Sequence, residues 1–305
     1  MRHRFLTADV FTRRVFGGNP LAVFPDGRGL SEAQMRQATR EMNLSETVFV
    51  LPPENPQHTR RLRIFTPETE MPFAGHPTVG TAIVLASIGE VPLTGEETSI
   101  VFEEGVGPVP VKIRAEGGVP VFAQLSAARL PAVGPPPPSA EELAGLLSLD
   151  PSDVLSGEES PENVSAGVPF LFIPVRDRAV LARCRVRLDR WDALLAGPEA
   201  PPELYVFSHD PELPGSHFRA RMFAPGLGIS EDPATGGAVT AFGGYVGSRA
   251  PERDGTLKWT IEQGFEMGRP SLLHLEVDKR DGEVTAVRVG GEAVLVSEGM
   301  MEIPG

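Results

Sequence analysis

Alternation of apolar and polar residues predicts β-strands along most of this chain, with few helices between them. Residues 5–11 show this alternation, and residues 46–51 have the β-branched composition of a strand. Residues 78–87 differ because they are apolar on nearly every side, which is the pattern of a helix buried among other elements. A second such helix is expected at residues 233–248. Antiparallel strands around each helix would bury both, so the pattern predicts an α+β protein.

A short sequence pattern precedes both predicted buried helices. In each half, a strand ends in Arg-x-Phe-x-Pro, at residues 63–67 and 221–225. A polar residue, a proline and a run of Ala, Thr and Gly follow, beginning at His76 and at Asp232. This recurrence predicts an internal repeat and two pseudo-symmetric domains.

The dipeptides His76-Pro77 and Asp232-Pro233 mark the expected starts of the two helices. Proline is favoured at the first helical position, so His76 and Asp232 are the predicted N-cap residues. The backbone N–H groups that follow lack intrahelical acceptors and attract anions, which predicts an anion site at Thr235 to Ala238. Asp is also a common N-cap without any functional role. The recurrence of the junction favours function.

The length of 305 residues is enough for two domains, each with its own core. The proline-rich stretch 131–138 has the composition of a stiff linker and is the predicted boundary. We therefore expect an N-terminal domain at residues 1–130 and a C-terminal domain at residues 131–305. The strand after about residue 285 is expected to return to the first domain.

The composition excludes several classes of partner. A net charge of -13 and a pI near 5.0 argue against nucleic acid and anionic membranes, which would repel the chain. The longest apolar helical segment is too short to span a bilayer, and the N-terminus does not read as a signal peptide. A single cysteine, Cys184, excludes an intramolecular disulfide and fits a reducing cytoplasm. The six histidines lack paired ligand spacing, so no metal is expected.

Several longer motifs together give the sequence a strong resemblance to the PhzF-like isomerase family of phenazine biosynthesis. The resemblance covers nearly the whole chain and is weakest between residues 130 and 200. The motifs that carry it are Asp9-Val10-Phe11-Thr12, Gly18-Asn19-Pro20-Leu21-Ala22-Val23-Phe24, Asn43-Leu44-Ser45-Glu46-Thr47, Arg63-Ile64-Phe65-Thr66-Pro67, Pro72-Phe73-Ala74-Gly75-His76-Pro77, Glu231-Asp232-Pro233-Ala234-Thr235-Gly236 and Gln263-Gly264-Phe265-Glu266-Met267-Gly268-Arg269-Pro270-Ser271.

The resemblance implies a diaminopimelate-epimerase-like fold, in which each domain is an antiparallel β-barrel around a central α-helix. It also implies a homodimer, no cofactor, and isomerisation of a small carboxylate-bearing metabolite by proton movement. The family's acid/base residues correspond to Glu46, His76 and Asp232. Glu46 is expected to move the proton, and the other two to hold and polarise the substrate. Taken alone, Glu46 would be read as a solvated charge at the end of a strand.

Further substrate-binding groups are expected at the two helix junctions and near the Gly-Asn-Pro turn. The phenazine enzymes place a serine where this chain has Gly237, but the backbone N–H groups of the junction are unaffected. The expected binding residues are Asn19, Ser45, Gly75, Thr235, Gly236, Gly237 and Ala238.

Two other functions are weighed against this one. A two-base racemase or epimerase of the diaminopimelate type uses a pair of thiols at the helix junctions, but no cysteine occurs near residues 70–80 or 230–240. Cys184 lies outside every motif. A non-catalytic binding protein could keep the cleft without the chemistry, but all three acid/base residues are retained.

Overall fold

The structure is a computed structural model that describes residues 1–195 and 202–304. The chain forms two compact units. Unit 1 consists of Met1–Ala128 together with Arg288–Gly305, and unit 2 consists of Arg129–Val287. The last part of the chain therefore belongs to the same unit as the first.

Unit 1 contains two helices and a mostly antiparallel sheet. Its elements, in chain order, are β1 (Arg2–Val10), β2 (Asn19–Phe24), α1 (Glu32–Met42), β3 (Glu46–Leu51), β4 (Arg60–Phe65), β5 (Glu70–Met71), α2 (Gly75–Ser87), β6 (Glu97–Glu104), β7 (Gly107–Glu116) and β8 (Val119–Ser126).

The elements of unit 2 include four further helices and four short 3-10 turns. They are β9 (Ala132–Val133), α3 (Ala140–Leu147), turns at Pro151–Asp153 and Gly157–Glu159, β10 (Glu162–Ser165), β11 (Pro169–Pro174), α4 (Arg178–Arg183), α5 (Leu188–Leu194), β12 (Glu203–Ser208), β13 (Phe218–Ala224), a turn at Pro225–Leu227, β14 (Ile229–Asp232), α6 (Gly236–Arg249), β15 (Gly255–Gln263), a turn at Phe265–Met267 and β16 (Ser271–Arg280). Strand β17 (Glu283–Gly291) leads from unit 2 back into unit 1, where β18 (Ala293–Glu302) ends the chain.

The two units share one order of strand pairing. In unit 1, β1 pairs with β2, β2 with β3, β3 with β4, β4 with β5 and β6, and β6 with β7. In unit 2, the same order runs from β10 through β11, β12 and β13 to β14 and β15, and then to β16. Strand β18 pairs with β1, and β17 pairs with β8 from Arg288 onward.

Two pairings in each unit are parallel, namely β2–β3 and β4–β6 in unit 1 and β11–β12 and β13–β15 in unit 2. The other pairings are antiparallel. Parallel neighbours need a crossover connection, and helices supply it: α1 lies between β2 and β3, and α2 between β4 and β6. The sheets are therefore mixed, in contrast to the wholly antiparallel barrels that the resemblance implied.

Helix α2 lies at the centre of unit 1. Every residue from Gly75 to Ala86 is buried, and the helix packs against β1, β2, β3, β7, β8 and β18. Helix α6 has the same place in unit 2, where it packs against β9, β10, β11 and β16. Both helices lack a polar stripe because strands cover several of their sides, which is the arrangement that the apolar pattern predicted.

None of the helices in residues 1–195 and 202–304 has both the length and the apolar character needed to cross a membrane.

Candidate active site

Glu46 and His76 meet inside unit 1. Glu46 is the first residue of β3, and His76 is the second residue of α2, which the strands surround. The imidazole Nε2 lies 3.2 Å from the Glu46 Oε2. The His76 side chain is only 4% exposed and the Glu46 side chain 13%. A carboxylate and an imidazole, mostly shielded from water, therefore form the polar centre of this unit.

Asn19 and Ser45 fix the orientation of the imidazole. The Ser45 hydroxyl donates to the Asn19 Oδ1 at 2.8 Å. The Asn19 Nδ2 then lies 3.3 Å from the His76 Nδ1. An amide NH₂ group can only donate, so Nδ1 must accept and the ring proton of neutral His76 is on Nε2. This proton is on the nitrogen that lies 3.2 Å from the Glu46 Oε2, although the contact does not have the geometry of a hydrogen bond.

Burial keeps His76 neutral. It lowers the pKa of His76 to about 3, because the imidazolium would lose its hydration inside the protein. Near neutral pH, the site therefore combines a neutral imidazole with the Glu46 carboxyl group. This pairing suits a carboxylate that takes up and returns a proton, with the imidazole N–H as a fixed donor beside it.

The start of α2 differs from the predicted one. Ala74 is the N-cap residue, with φ −150° and ψ 133°, and the helix begins at Gly75. The prediction that His76 is the N-cap and Pro77 the first helical residue was therefore wrong. Pro77 is tolerated at the third position because N–H groups of the first turn have no intrahelical acceptor. The first hydrogen bond within α2 runs from the Thr78 N–H to the Ala74 carbonyl at 3.3 Å.

A buried carboxyl group, Glu104, supports this helix start. The Thr78 hydroxyl lies 2.8 Å from the Ala74 carbonyl and 2.6 Å from the Glu104 Oε1. Burial raises the pKa of Glu104 to about 8, so the group is protonated at neutral pH. A hydroxyl has one proton to donate, and this arrangement is satisfied when Glu104 donates to Thr78 and Thr78 donates to Ala74.

Asp232 belongs to unit 2 and is held by its neighbours. It is the last residue of β14 and is 7% exposed. The Thr235 hydroxyl donates to its Oδ2 at 2.5 Å. The Gln263 Nε2 donates to the Asp232 carbonyl at 2.8 Å and lies 2.9 Å from the Thr235 Oγ1. Gln263 also accepts from the Thr235 N–H at 3.2 Å, so one side chain fixes the whole segment.

The start of α6 also differs from the prediction. Thr235 is the N-cap residue and α6 begins at Gly236, so Asp232 is not an N-cap and Pro233 lies outside the helix. The reason is the short strand β14, which continues through Asp232 and pairs with β13.

The true correspondence between the two units therefore places Pro72 with Pro233. Each lies two residues before an N-cap, and each packs against a glycine that follows a strand. A Cβ on Gly105 would lie 2.7 Å from the Pro72 Cα, and one on Gly264 would lie 2.5 Å from the Pro233 carbonyl oxygen. His76 and Asp232 are consequently not equivalent. The residue of unit 2 that corresponds to His76 is Gly237.

The first turn of α6 presents backbone N–H groups that the helix does not use. Helix geometry leaves Gly236, Gly237 and Ala238 without intrahelical acceptors, and the helix dipole favours an anion there. The Thr235 N–H is already bound to Gln263. Of the residues predicted to bind an anion, Thr235 to Ala238, Thr235 therefore has its backbone N–H already in use. Gly75, the remaining predicted binding residue, is the first residue of α2.

Glu104 and Gln263 are two site-supporting residues that the sequence alone did not identify. Each is the last residue of its strand, β6 or β15, and each is followed by a glycine that packs against the equivalent proline. The signal was present as Glu-Glu-Gly at 103–105 and Glu-Gln-Gly at 262–264. Within the described parts of the chain, no group of three or more His, Cys, Asp or Glu side chains is arranged to hold a metal ion.

Comparison with known proteins gives a consistent result. The family model of phenazine biosynthesis-like proteins matches residues 8–299. The chain is 41% identical to an uncharacterized isomerase of Mesorhizobium japonicum, with 98% of each chain covered. It is 32% identical to the trans-2,3-dihydro-3-hydroxyanthranilate isomerase of Pseudomonas aeruginosa, with 97% of this chain and 98% of that protein covered.

Solved structures confirm the predicted fold class. The PhzF-family phenazine biosynthesis protein of Bacillus anthracis superimposes with a TM-score of 0.87 at 25% identity, over 99% of this chain and all of that one. A hydroxyproline epimerase of Agrobacterium vitis shares the fold, with a TM-score of 0.65 at 11% identity, over 98% of this chain and 91% of that one. The α+β fold of the diaminopimelate epimerase type is therefore established.

Replacing Glu104 by Gln should change how stability depends on pH. The pKa of Glu104 is raised in the folded protein, so folding retains a proton that the unfolded chain loses above its ordinary pKa of 4.5. The contribution of Glu104 is complete below that pKa and declines as the pH rises towards about 8. Glu104→Gln keeps a donor and cannot ionise. Urea unfolding at several pH values should show wild-type stability falling relative to Glu104→Gln across this range.

Glu116→Gln, at an exposed position of the same unit, is the matched control and should run parallel to the wild type. Effects of His76 are present in all three proteins and cancel in the differences. A constant difference between wild type and Glu104→Gln would mean that Glu104 does not hold a proton in the folded state.

Replacing Asn19 by Asp should reverse the tautomer of His76. A carboxylate accepts from Nδ1–H, so the ring proton would move from Nε2 to Nδ1 and the donor beside Glu46 would be lost. ¹⁵N chemical shifts of the imidazole should show the exchange. Activity should fall by about tenfold or more. Ser45→Ala, which removes only the support of the Asn19 amide, should give a smaller effect of the same kind. Unchanged imidazole shifts in a folded Asn19→Asp protein would contradict the assignment.

Proposed function

The chain belongs to the family of phenazine biosynthesis-like proteins, and from this premise we propose that it isomerises a small carboxylate-bearing metabolite with Glu46 as the proton carrier. Its curated relatives are named isomerases, and this chain is an isomerase too. In the proposed reaction, Glu46 removes a proton from one carbon of the substrate and returns it to another. No cofactor takes part.

The observation that carries this proposal is the position of Glu46 against an imidazole of fixed tautomer. Because Asn19 occupies Nδ1, the ring proton of His76 is on Nε2, which lies 3.2 Å from the Glu46 Oε2. A carboxylate beside such a donor is oriented and remains available as a base. Glu46 is chosen as the proton carrier because of this contact, and neither His76 nor Asp232 has the N-cap role that the sequence predicted for it.

His76 and Asp232 are assigned supporting roles. Neutral His76 can polarise a substrate oxygen through its Nε2–H. Asp232 is fixed through Thr235 and Gln263 and offers a carboxylate oxygen to substrate donors such as hydroxyl or amino groups. The N–H groups of Gly236 to Ala238 are suited to the substrate carboxylate.

A two-thiol racemase is not favoured. Cys184, the one cysteine of the sequence, is fully buried at the end of α4, and burial raises its pKa to about 12. Its thiol donates to the Val180 carbonyl. A thiol that ionises so reluctantly is a poor proton carrier. A homodimer, which the sequence resemblance implied, and a cytoplasmic location, for which the single cysteine was the reason, remain part of the proposal.

Replacing Glu46 by Gln should abolish most of the activity without preventing substrate binding. Gln keeps the shape of Glu but cannot carry a proton, and general acid/base groups contribute about 10²–10⁴ in rate. The measurement is exchange of substrate hydrogen in heavy water, after a screen of small carboxylates for ligands that raise the melting temperature. Trans-2,3-dihydro-3-hydroxyanthranilate, named for the relatives, is the first compound to test.

Glu97→Gln, at an exposed position of β6, is the control and should exchange at the wild-type rate. Near-normal exchange in Glu46→Gln would exclude Glu46 as the proton carrier. Ligands that stabilise the wild type but never exchange hydrogen would instead favour a non-catalytic binding protein.

A further inference from the structure

Unit 2 contains a carboxyl group at the position that Glu46 has in unit 1. Glu46 is the first residue of β3 and pairs with Leu21 on the parallel neighbour β2. Glu203 is the first residue of β12 and pairs with Phe170 on the parallel neighbour β11. Because the two units share one pairing order, Glu203 is the structural counterpart of Glu46.

Other paired contacts support this correspondence. Arg63 binds Glu70 in unit 1, and Arg221 binds Glu231 in the same way in unit 2. Two equivalent carboxylates each accept two backbone N–H groups from a neighbouring loop. They are Glu103, bound to the N–H groups of Glu54 and Asn55, and Glu262, bound to those of Glu212 and Leu213.

The surroundings of Glu203 lack the imidazole that lies beside Glu46. Gly237 stands where unit 1 has His76, two residues after the N-cap. A Cβ at Gly237 would find the Phe170 ring at 3.8 Å as its nearest neighbour, so the position has room for a larger group. Glu203 and Phe170 are opposite each other on adjacent strands and therefore project from the same face of the sheet. This face is the one towards the start of α6.

Glu203 is buried and holds its proton. It is 4% exposed, and its Oε2 has no hydrogen-bond partner among the described residues. Burial raises the pKa of Glu203 to about 8, and among those residues no charged side chain contributes to the change. A buried polar group without a partner costs free energy and is unusual in native proteins. A ligand that accepts a hydrogen bond would remove this cost.

We propose that Glu203 is a ligand-binding residue that donates a hydrogen bond from its neutral carboxyl group to a small carboxylate at the N-terminus of α6. The N–H groups of Gly236, Gly237 and Ala238 supply the other donors of this subsite. Such a set of donors selects an acceptor, and a carboxylate provides two oxygens for them. The inference rests on the proposed function, since it specifies how that site recognises the acidic end of its substrate.

The first test asks whether Glu203 faces position 237, and it needs no ligand. Gly237→His would place an imidazole where unit 1 has His76. Carbon-13 labelling of glutamate carboxyl groups, with Glu203→Gln used to assign the Glu203 resonance, allows Glu203 to be titrated. In the wild type, Glu203 should remain protonated at pH 7. In Gly237→His, its pKa should fall, because the N–H of a nearby neutral imidazole can donate a hydrogen bond to the carboxylate and stabilise its charged form. An unchanged titration would overturn the placement of Glu203.

The second test measures binding with benzoate as a simple carboxylate probe. Benzoate should shift the amide resonances of Gly236 to Ala238 together with the Glu203 carboxyl resonance. Glu203→Leu should weaken binding by roughly 10- to 100-fold, the range expected for a hydrogen bond to a charged group. Glu203→Gln, which retains a donor, should bind nearly as the wild type does. Above pH 8, binding should weaken in the wild type and persist in Glu203→Gln.

The outcomes separate this inference from the proposed function. Shifts of the amides without any change at Glu203 would overturn the role of Glu203 and leave an anion site on the helix. An absence of shifts at both places would overturn the whole carboxylate subsite. Neither result bears on proton transfer, which the Glu46→Gln exchange experiment tests separately. If Glu203→Gln lost turnover but kept benzoate binding, Glu203 would be a proton donor in the reaction instead of a binding residue.

Discussion

Each unit of this protein buries a helix that is apolar on nearly all sides, and this burial constrains everything at the start of the helix. The sheets cover the apolar sides of α2 and α6, but the first turn of a helix always presents unused backbone donors. Side chains from the ends of nearby strands contact both helix starts. Glu104 contacts the Thr78 hydroxyl of α2 in unit 1, and Gln263 accepts from the N–H of Thr235, the N-cap residue of α6, in unit 2. The polar groups of the site lie at helix starts because the fold requires polar groups there.

One scaffold carries different chemistry in its two copies. In unit 1, a carboxyl group, an imidazole and an amide form a connected set through Glu46, His76 and Asn19. The corresponding strand and helix positions of unit 2 are Glu203 and Gly237. No imidazole lies at this position in unit 2, and burial raises the pKa of the second carboxyl group, Glu203, to about 8. The same backbone arrangement thus places a carboxyl group beside an imidazole in one unit and a buried carboxyl group without an imidazole in the other.

Burial acts on the ionisable groups in one direction, towards the neutral form. It lowers the pKa of His76 and raises those of Glu104 and Glu203, because water is excluded around all three. Neutral groups of this kind donate or accept single hydrogen bonds in fixed directions. The contacts of Asn19 are an example, since its Oδ1 accepts from Ser45 and its Nδ2 donates to the His76 Nδ1, which places the ring proton on Nε2. Preorganised donors of this type do not need to reorient when charge develops in a reaction.

The sequence by itself determined the fold class, the family and the two buried helices. It could do so because apolar runs such as residues 78–87 and motifs such as Arg-x-Phe-x-Pro are local patterns with direct physical meaning. It misplaced both N-caps and matched His76 with Asp232, because proline is compatible with the whole first turn and with the residues before it. Only strand pairing showed that Pro72 corresponds to Pro233 and Glu46 to Glu203. Gln263, Glu104 and Asn19 act on residues far away in the sequence, and contacts of that kind exist only once the sheets have formed.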